Sequence, residues 1–304
     1  MSAFFTYAFF PLHFAGALMA GYWAHGQGYS ASVILATVTG VTAATILVLE
    51  RVHPAHPEWN RSQKDVGTDS LHALVSMIML PKLLEFMLLH VAFITAAAEV
   101  ANASDGAGLW PTQWPLAAQV ALALLISQFA EYWVHRTMHT VPLLWRLHAT
   151  HHSPGRLYWL NAARFHPLDT ATSYLVGMVP LLMLGVQGEV ILLFHVWISV
   201  HGMYQHCNVR LKLGPLNYIF SMAELHRWHH SLRIEEANQN YGNNIIFWDL
   251  VFGTFFHPKD REASSNIGLS DLPHFPKDYL GQVLSPFQWS KVARRDEPRG
   301  DVGA

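Results

Sequence analysis

Three short clusters of histidines stand out in this sequence, because their residue type and spacing suit the binding of metal ions. They occur as His135-Arg-Thr-Met-His139, His148-Ala-Thr-His151-His152 and His226-Arg-Trp-His229-His230. On an α-helix, positions i, i+3 and i+4 lie on one face, so each cluster can aim two or three imidazoles at one point. Neutral imidazole is a ligand for iron, zinc and copper. Eight such nitrogens exceed the needs of one tetrahedral zinc, and they predict a site for two metals with open positions.

The composition restricts the class of protein. The 304 residues are 51% hydrophobic and 13% charged, whereas a typical soluble domain has about 25% charged residues. The formal net charge of −2 gives no basic signal, and we expect no nucleic-acid partner. The single cysteine, Cys207, excludes an internal disulfide, a cysteine-ligated iron–sulfur cluster and a cysteine-based zinc finger. Low charge and long apolar runs indicate an integral membrane protein.

Apolar segments before and between the clusters must position them. We predict transmembrane helices at 4–24, 31–49, 71–98 and 115–130, the last running directly into the first cluster. Two shorter apolar stretches, 170–184 and 189–203, predict a helical hairpin. The predicted fold class is therefore all-α integral membrane, with about four transmembrane helices, the hairpin and a cytoplasmic helical His-rich cap holding a dimetal site. We divide the chain into N-terminal membrane helices (1–134), a catalytic region (135–257) and a polar C-terminal tail (258–304), loosely ordered after about 285.

The distribution of Lys and Arg predicts the orientation in the membrane. Loop 50–70 and the stretch 135–169 carry basic residues, whereas loops 25–30, 99–114 and 185–189 carry none. The positive-inside rule then places both termini and all three clusters on the cytoplasmic side, so the clusters can meet without crossing the bilayer. Glu131 lies one turn before His135 on the same helix face. We expect its carboxylate to accept the second ring N–H of a ligating histidine.

The sequence favours redox metal chemistry over hydrolysis. The clusters contain no acidic residue, and the chain lacks His-Glu-x-x-His, Gly-x-Ser-x-Gly and a glycine-rich phosphate loop. Imidazole spacing alone does not distinguish iron from zinc. A His-rich metal-binding or transport protein is the alternative from another class, but transporters place their ligands near the bilayer midplane, and these clusters fall outside the apolar runs. A membrane zinc hydrolase would lack an evident nucleophile or general base.

The order and spacing of the clusters resemble those of the fatty acid hydroxylase/sterol desaturase superfamily, which are integral-membrane non-haem di-iron oxygenases. Flanking motifs similar to those of its bacterial members are Asn161-Ala-Ala-Arg-Phe-His166-Pro, Gln205-His-Cys-Asn208, Leu213-Gly-Pro-Leu-Asn217, Asn240-Tyr-Gly-Asn-Asn244 and Trp248-Asp249-x-x-Phe-Gly-Thr254. The resemblance covers about residues 120–257, and it extends to the alkylglycerol monooxygenase branch. It implies two iron ions that activate O2 and hydroxylate a C–H bond of a lipid or sterol-like substrate. Desaturation on the same site is the related alternative.

The resemblance also implies a role for individual residues. The implied iron ligands are His135, His139, His148, His151, His152, His226, His229 and His230, with His206 as a further ligand and His201 as its competitor. Supporting roles around the ligands are implied for Asn161, His166 and Asp249, beside Glu131. Because the chain has no Rossmann fingerprint, we expect its electrons from a ferredoxin or a b-type cytochrome on the cytoplasmic face. The expected location is the bacterial inner membrane.

Overall fold

A computed structural model describes residues 2–87, 109–272 and 274–294 of the chain. Within these ranges the regular elements are helices, and β-pairing is confined to isolated bridges such as Pro54 with Val209. The all-α expectation is therefore confirmed for this part of the chain.

The N-terminal helices follow the predicted apolar segments. They are α1 (Ser2–Tyr7), α2 (Phe9–Gly26), α3 (Ala31–Val52), α4 (Val66–His72), a π-helix (Ala73–Met79) and α5 (Leu80–Met87), and then α6 (Leu116–Thr140). Helix α4, the π-helix and α5 form one continuous rod. Its widened turns lie directly before Pro81, which has no N–H to donate to the preceding turn. The predicted continuation of this segment to residue 98 extends outside the described residues.

Further helices follow in the described residues after 140, and three of them position the second cluster, His206 and the third cluster. The further helices are α7 (Pro142–His152), α8 (Pro167–Met183), α9 (Gly188–His206), α10 (Ala223–His229), α11 (Ile234–Ala237), α12 (Phe247–Phe252), α13 (Tyr279–Leu284) and α14 (Trp289–Arg294). Helices α8 and α9 form the predicted hairpin. Gly185 permits its turn, because the backbone there has a positive φ of 77°.

Within the described ranges, three helical stretches are long and apolar enough to cross a membrane. They are Ala31–Val52, Val66–Met87 and Leu116–Thr140, with mean hydropathies of 2.1, 1.3 and 1.3. The chain is accordingly an integral membrane protein. The count of four spans and the orientation of the cap remain predictions.

Helix α9 is the centre of the bundle. One side of α9 packs on α2 and α3 through Leu192, Val196 and Val200, and the other packs on α6 and α8 through Val190 and Phe194. The ends of α3, α6 and α9 and the beginnings of α4 and α8 meet at one end of this bundle, where the cap formed by residues 141–166 and 207–256 covers them.

Residues 285–294 contradict the expectation of loose order at the end of the chain, and the remainder of that tail, 295–304, lies outside the described residues. Residues 285–294 form a 3₁₀ turn and helix α14, and these pack on the cap. The physical reason is that this tail, although polar in overall composition, contains a few apolar residues that become buried. Leu272, Phe275 and Val292 are each 5% exposed and form a small core with Ala149, where burial of apolar surface supplies the stabilising free energy.

Candidate metal centre

Nine histidines in the described ranges come together in two groups where the cap meets the bundle. The first group is His135, His139, His148, His152 and His229, and the second is His151, His206, His226 and His230. Within each group the candidate ligand atoms all lie within 4.8 Å of one another. These are the nine histidines that the sequence predicts, including His206 at the end of α9.

The positions on the helix face predict that each sequence cluster directs its rings to one point. The structure instead divides the second and third clusters between the two groups. His151 and His152 belong to different groups, and so do His229 and His230. Adjacent residues on a helix point about 100° apart, so a His-His doublet directs its two rings to two places. Only the first cluster, on α6, contributes both of its histidines to the same group.

Oxygen acceptors fix the ring orientation in the first group. The Nδ1 atoms of His135, His148 and His229 lie 2.6 Å from the carbonyl of Tyr241, 2.8 Å from Oδ2 of Asp169 and 2.8 Å from the carbonyl of Gln239. A carbonyl or carboxylate oxygen can only accept, so each Nδ1 donates and each Nε2 presents a lone pair. The Nε2 of His135 is nevertheless 3.0 Å from the Nε2 of His148 and 3.0 Å from that of His229.

The second group repeats this arrangement. The Nδ1 of His206 donates to Oδ1 of Asn161 at 3.1 Å, and that of His151 donates to the carbonyl of Arg164 at 3.3 Å. The Nε2 of His206 then faces the Nε2 of His151 at 3.3 Å and the Nε2 of His226 at 2.9 Å. The Nε2 of His226 lies 3.0 Å from that of His230.

A bound cation accounts for these contacts. Lone pairs of two unprotonated imidazoles repel and cannot form a hydrogen bond, whereas a metal between them converts the same geometry into ligation. Nitrogens about 2.1 Å from a common metal are roughly 3.0 Å apart at a right angle and roughly 3.4 Å apart at a tetrahedral angle. The observed separations of 2.9–3.3 Å match that range. The residues present therefore fit two metal ions.

Burial keeps the rings in the form that metals bind. Desolvation, followed by the neighbouring imidazoles, lowers the pKa of His152, His226 and His230 well below its ordinary value. Desolvation likewise lowers the pKa of His229 to about 3. These side chains are neutral near pH 7, so metal binding does not have to displace ring protons.

Asp169 is a supporting residue that the sequence reasoning missed. It lies in the first turn of α8, only 1% exposed, and its carboxylate accepts the Nδ1–H of His148. A carboxylate on the distal nitrogen orients the ring and makes the other nitrogen a stronger ligand. The available signal was an acidic residue placed two positions after His166-Pro167, where an apolar helix begins at the level of the clusters.

The predicted supporting residues divide into one that touches a ligand and three that do not. Asn161 contacts His206, as expected. Glu131 is hydrogen-bonded to Ser127 and Asn243 instead of a histidine. Its carboxylate lies between α8 and the cap residue Asn243, and Gly177 leaves room for it, because a Cβ there would lie 2.7 Å from Oε1 of Glu131.

His166 and Asp249 act at one remove from the ligands. His166 caps α8 by accepting the N–H of Leu168, and its Nε2 donates to the carbonyl of Val283. Asp249 is 0% exposed and accepts the N–H groups of Tyr241 and Gly242. It thereby holds the loop whose Tyr241 carbonyl orients His135. Burial raises the pKa of Asp249 to about 6.

His201 lies outside both groups. It is 0% exposed on α9, and its ring packs among Phe10, Phe14 and Phe220. His206, five residues further along, reaches the second group at the end of the helix. Of the two candidates for the ninth ligand, His206 therefore belongs to a histidine group and His201 does not.

Two arginines of the basic stretch 135–169 are structural. Arg156 donates to both oxygens of Asp65 at 2.7 Å, and Arg164 pairs with Asp69. Both arginines are buried, at 3% and 4% exposure. These ion pairs attach the beginning of α4 to the segment whose Arg164 carbonyl supports His151, so they position the second group.

Comparison with known proteins identifies the family. The model of the fatty acid hydroxylase family matches residues 120–254. An ornithine lipid hydroxylase (OlsE) of Rhizobium tropici is 38% identical over 259 residues, covering 84% of this chain and 75% of the relative. Human alkylglycerol monooxygenase is 34% identical over 44% of this chain and 29% of its own length. Methylsterol monooxygenase 2-2 of Arabidopsis thaliana is 24% identical over 47% of this chain and 54% of its own length. No solved structure matches the chain.

The fold and the two histidine groups define a membrane protein with a candidate metal centre. The chain belongs to the fatty acid hydroxylase family, and it is an oxidoreductase of the monooxygenase class. The family resemblance drawn from the three clusters is confirmed.

Proposed function

We propose that this chain is a di-iron oxygenase that hydroxylates a C–H bond of a membrane lipid. The observation that carries the proposal is the set of nine histidines in two groups at the end of the membrane-crossing helices, where the lone pairs of Nε2 atoms face each other between His135 and His229 and between His151 and His206. Two bound irons supply O2 activation, in which one oxygen atom enters the C–H bond and two electrons and two protons reduce the other to water.

The proposed substrate is an ornithine lipid. This proposal is supported by the share of the chain that each relative matches. The Rhizobium relative named for this substrate aligns with 84% of the chain, whereas alkylglycerol monooxygenase and methylsterol monooxygenase each align with less than half of it. The alignment with the ornithine lipid hydroxylase thus includes membrane helices as well as the histidine cap. A lipid substrate also suits the position of the site, because His135 and His139 lie in the last turns of α6, a candidate membrane span.

The chain's own residues hold and insulate the metals. Nine imidazoles provide ligation without a carboxylate in either group, and the carboxylate of Asp169 accepts a hydrogen bond from His148. The carbonyls of Tyr241, Gln239 and Arg164 fix each ring with its Nδ1 proton turned away from the metals. Eight of the nine rings are buried, which keeps bulk water away from the ligand nitrogens.

We propose that the site and both termini face the cytoplasm of a bacterium and that a ferredoxin or a b-type cytochrome delivers the electrons there. Because Arg156 and Arg164 are buried, they are unavailable to such a carrier. Arg51, Arg61 and Arg233 are exposed and provide positive charge for an acidic carrier. Purified enzyme should turn over with NADPH only when a carrier and its reductase are added. Full turnover with NADPH alone would make this part of the proposal wrong.

Lipid mass spectrometry tests the reaction. A bacterial host that makes ornithine lipid would express the chain, the His151→Ala variant or the His201→Phe variant, each with confirmed membrane insertion. We expect ornithine lipid with one added oxygen atom for the chain and for His201→Phe, whose ring lies outside both groups, and none for His151→Ala. Loss of two hydrogens would indicate a desaturase. An unchanged ornithine lipid with another hydroxylated lipid would keep the chemistry and overturn the proposed substrate.

A further inference from the structure

The C-terminal segment has an apolar stripe that nothing in the described structure covers. Leu280, Leu284 and Phe287 are spaced i, i+4 and i+7 and are 63%, 39% and 71% exposed. The opposite side of the segment is closed against the protein, since Gln282 and Ser285 are 0% and 1% exposed. An outward apolar stripe on a segment that is otherwise fixed in place indicates a surface that is not in contact with bulk water.

Contacts with the third membrane rod fix the level of this segment. The Nε2 of His72 lies 2.8 Å from Oε1 of Gln282, and the ring of His72 is 4.7 Å from that of Tyr279. His72 is six residues into the candidate span Val66–Met87, which is about 9 Å at 1.5 Å per residue. That span has 22 residues, or about 33 Å, slightly more than the ~30 Å hydrocarbon core. The segment therefore lies near the boundary between headgroups and acyl chains.

The neighbouring surface of the rod is itself apolar and exposed. Leu71 and Leu74, on either side of His72, are 46% and 48% exposed and belong to the candidate span. The stripe on residues 280–287 lies beside this apolar surface of the rod and extends it. A basic flank accompanies it: Lys277 and Lys291 line a cleft of about 450 Å³ beside Leu284, together with one carboxylate, Asp278, which caps α13 by accepting the N–H of Gly281. Apolar residues with lysines along one edge are the pattern of a helix lying in the plane of a membrane interface.

We propose that residues 277–291 form an in-plane segment that inserts Leu280, Leu284 and Phe287 into the bilayer interface, with Lys277 and Lys291 among anionic lipid headgroups. The segment connects this anchor to the metal centre. Phe275 and Val292 pack on Ala149, between two histidines of α7, and the carbonyl of Val283 accepts a hydrogen bond from His166, the cap of α8. The anchor thus sets the height of the two histidine groups relative to the headgroup plane. The proposal rests on the membrane spans and does not depend on the identity of the metal or the reaction.

Site-directed spin labelling of the full chain tests the proposal. Cys207 is the only cysteine and is 0% exposed, so a nitroxide can be attached to single introduced cysteines. The variants Leu280→Cys and Phe287→Cys would be compared with Leu74→Cys as the lipid-exposed reference and Asp260→Cys as the water-exposed reference. Gln288→Cys, next to Phe287 but on the basic flank, is the matched control. The protein would be reconstituted in vesicles of zwitterionic and anionic phospholipid.

The readout is the accessibility of each label to oxygen, which concentrates in the bilayer, relative to a water-soluble nickel complex. We expect labels at 280 and 287 to show a ratio several-fold above that at 260 and close to that at 74, with 288 near the aqueous value. Labels at 280 and 287 that match the one at 260 would overturn the proposal. Labels shielded from both reagents would also overturn it, because protein, such as a second copy of the chain, would then cover the stripe. A functional failure with the expected ratios would count against the proposed reaction only.

Discussion

The Asp169→Asn variant isolates the contribution of one buried carboxylate to one metal. Asp169 and His148 are 1% and 2% exposed, and the 2.8 Å bond joins Oδ2 to Nδ1. Asparagine can keep its oxygen in the same place and accept the same proton, so the substitution removes charge with little change in shape. A hydrogen bond to a charged group contributes about 1.5–3 kcal/mol and a neutral one about 0.5–1.5 kcal/mol. The difference of about 1–2 kcal/mol corresponds to roughly a 5- to 30-fold weaker metal affinity.

Competition with a chelator, monitored by iron content, measures this effect. Because His148 belongs to the first group only, we expect one of two iron affinities to fall by this factor and the other to stay unchanged. Asp271→Asn is the matched control, since it makes the same change of charge at an exposed position. Parental affinity at both sites of Asp169→Asn would refute the role given to this carboxylate. An equal loss at both sites would refute the division into two groups.

Four further substitutions test the ligands, the packing of α6 on α8 and the loop that supports His135. His229→Ala and His151→Ala remove a ligand from the first and second group respectively, and each should abolish product while the protein still inserts in membranes, as fractionation and product analysis would show. Gly177→Ala places a Cβ 2.7 Å from Oε1 of Glu131. The resulting overpacking between α6 and α8 should cost about 1–3 kcal/mol, seen as a lower Tm in detergent, and an unchanged Tm would contradict that contact. Asp249→Ala leaves two backbone N–H groups and a hydroxyl without their acceptor, so a loss of about 2–4 kcal/mol and of metal from the first group is expected. Full metal content in this variant would show that the loop held by Asp249 is not needed for metal binding.

Much of the site could be predicted because spacing on a helix fixes which side chains share a face. His135 and His139 on α6 are the clearest case, and they belong to one group. The partition of His151 from His152 depends on where α10 and the end of α9 lie, which the local spacing of one helix does not contain. His206 required the family resemblance, because a single histidine after an apolar run has no spacing to argue from.

The supporting shell was the least predictable part of the site. Three ligands donate to backbone carbonyls, those of Tyr241, Gln239 and Arg164, and a carbonyl acceptor has no signature in the sequence. Glu131, by contrast, was predicted to support a ligand and does not contact one. Its i−4 spacing from His135 is real, but the side chain is held by Ser127 and Asn243 on the α8 side of α6. Spacing along one helix therefore predicts adjacency but not the partner that a neighbouring element offers.

We propose that the two groups of histidines each hold one iron. The direct measurement is the metal content per chain of anaerobically purified, catalytically active protein, determined by elemental mass spectrometry for the parent, His229→Ala and His151→Ala. We expect two irons per chain in the parent and a lower iron content in each variant, because each variant removes a ligand from one of the two groups. Active protein that contains zinc and no iron, or a single iron that both variants remove, would contradict it.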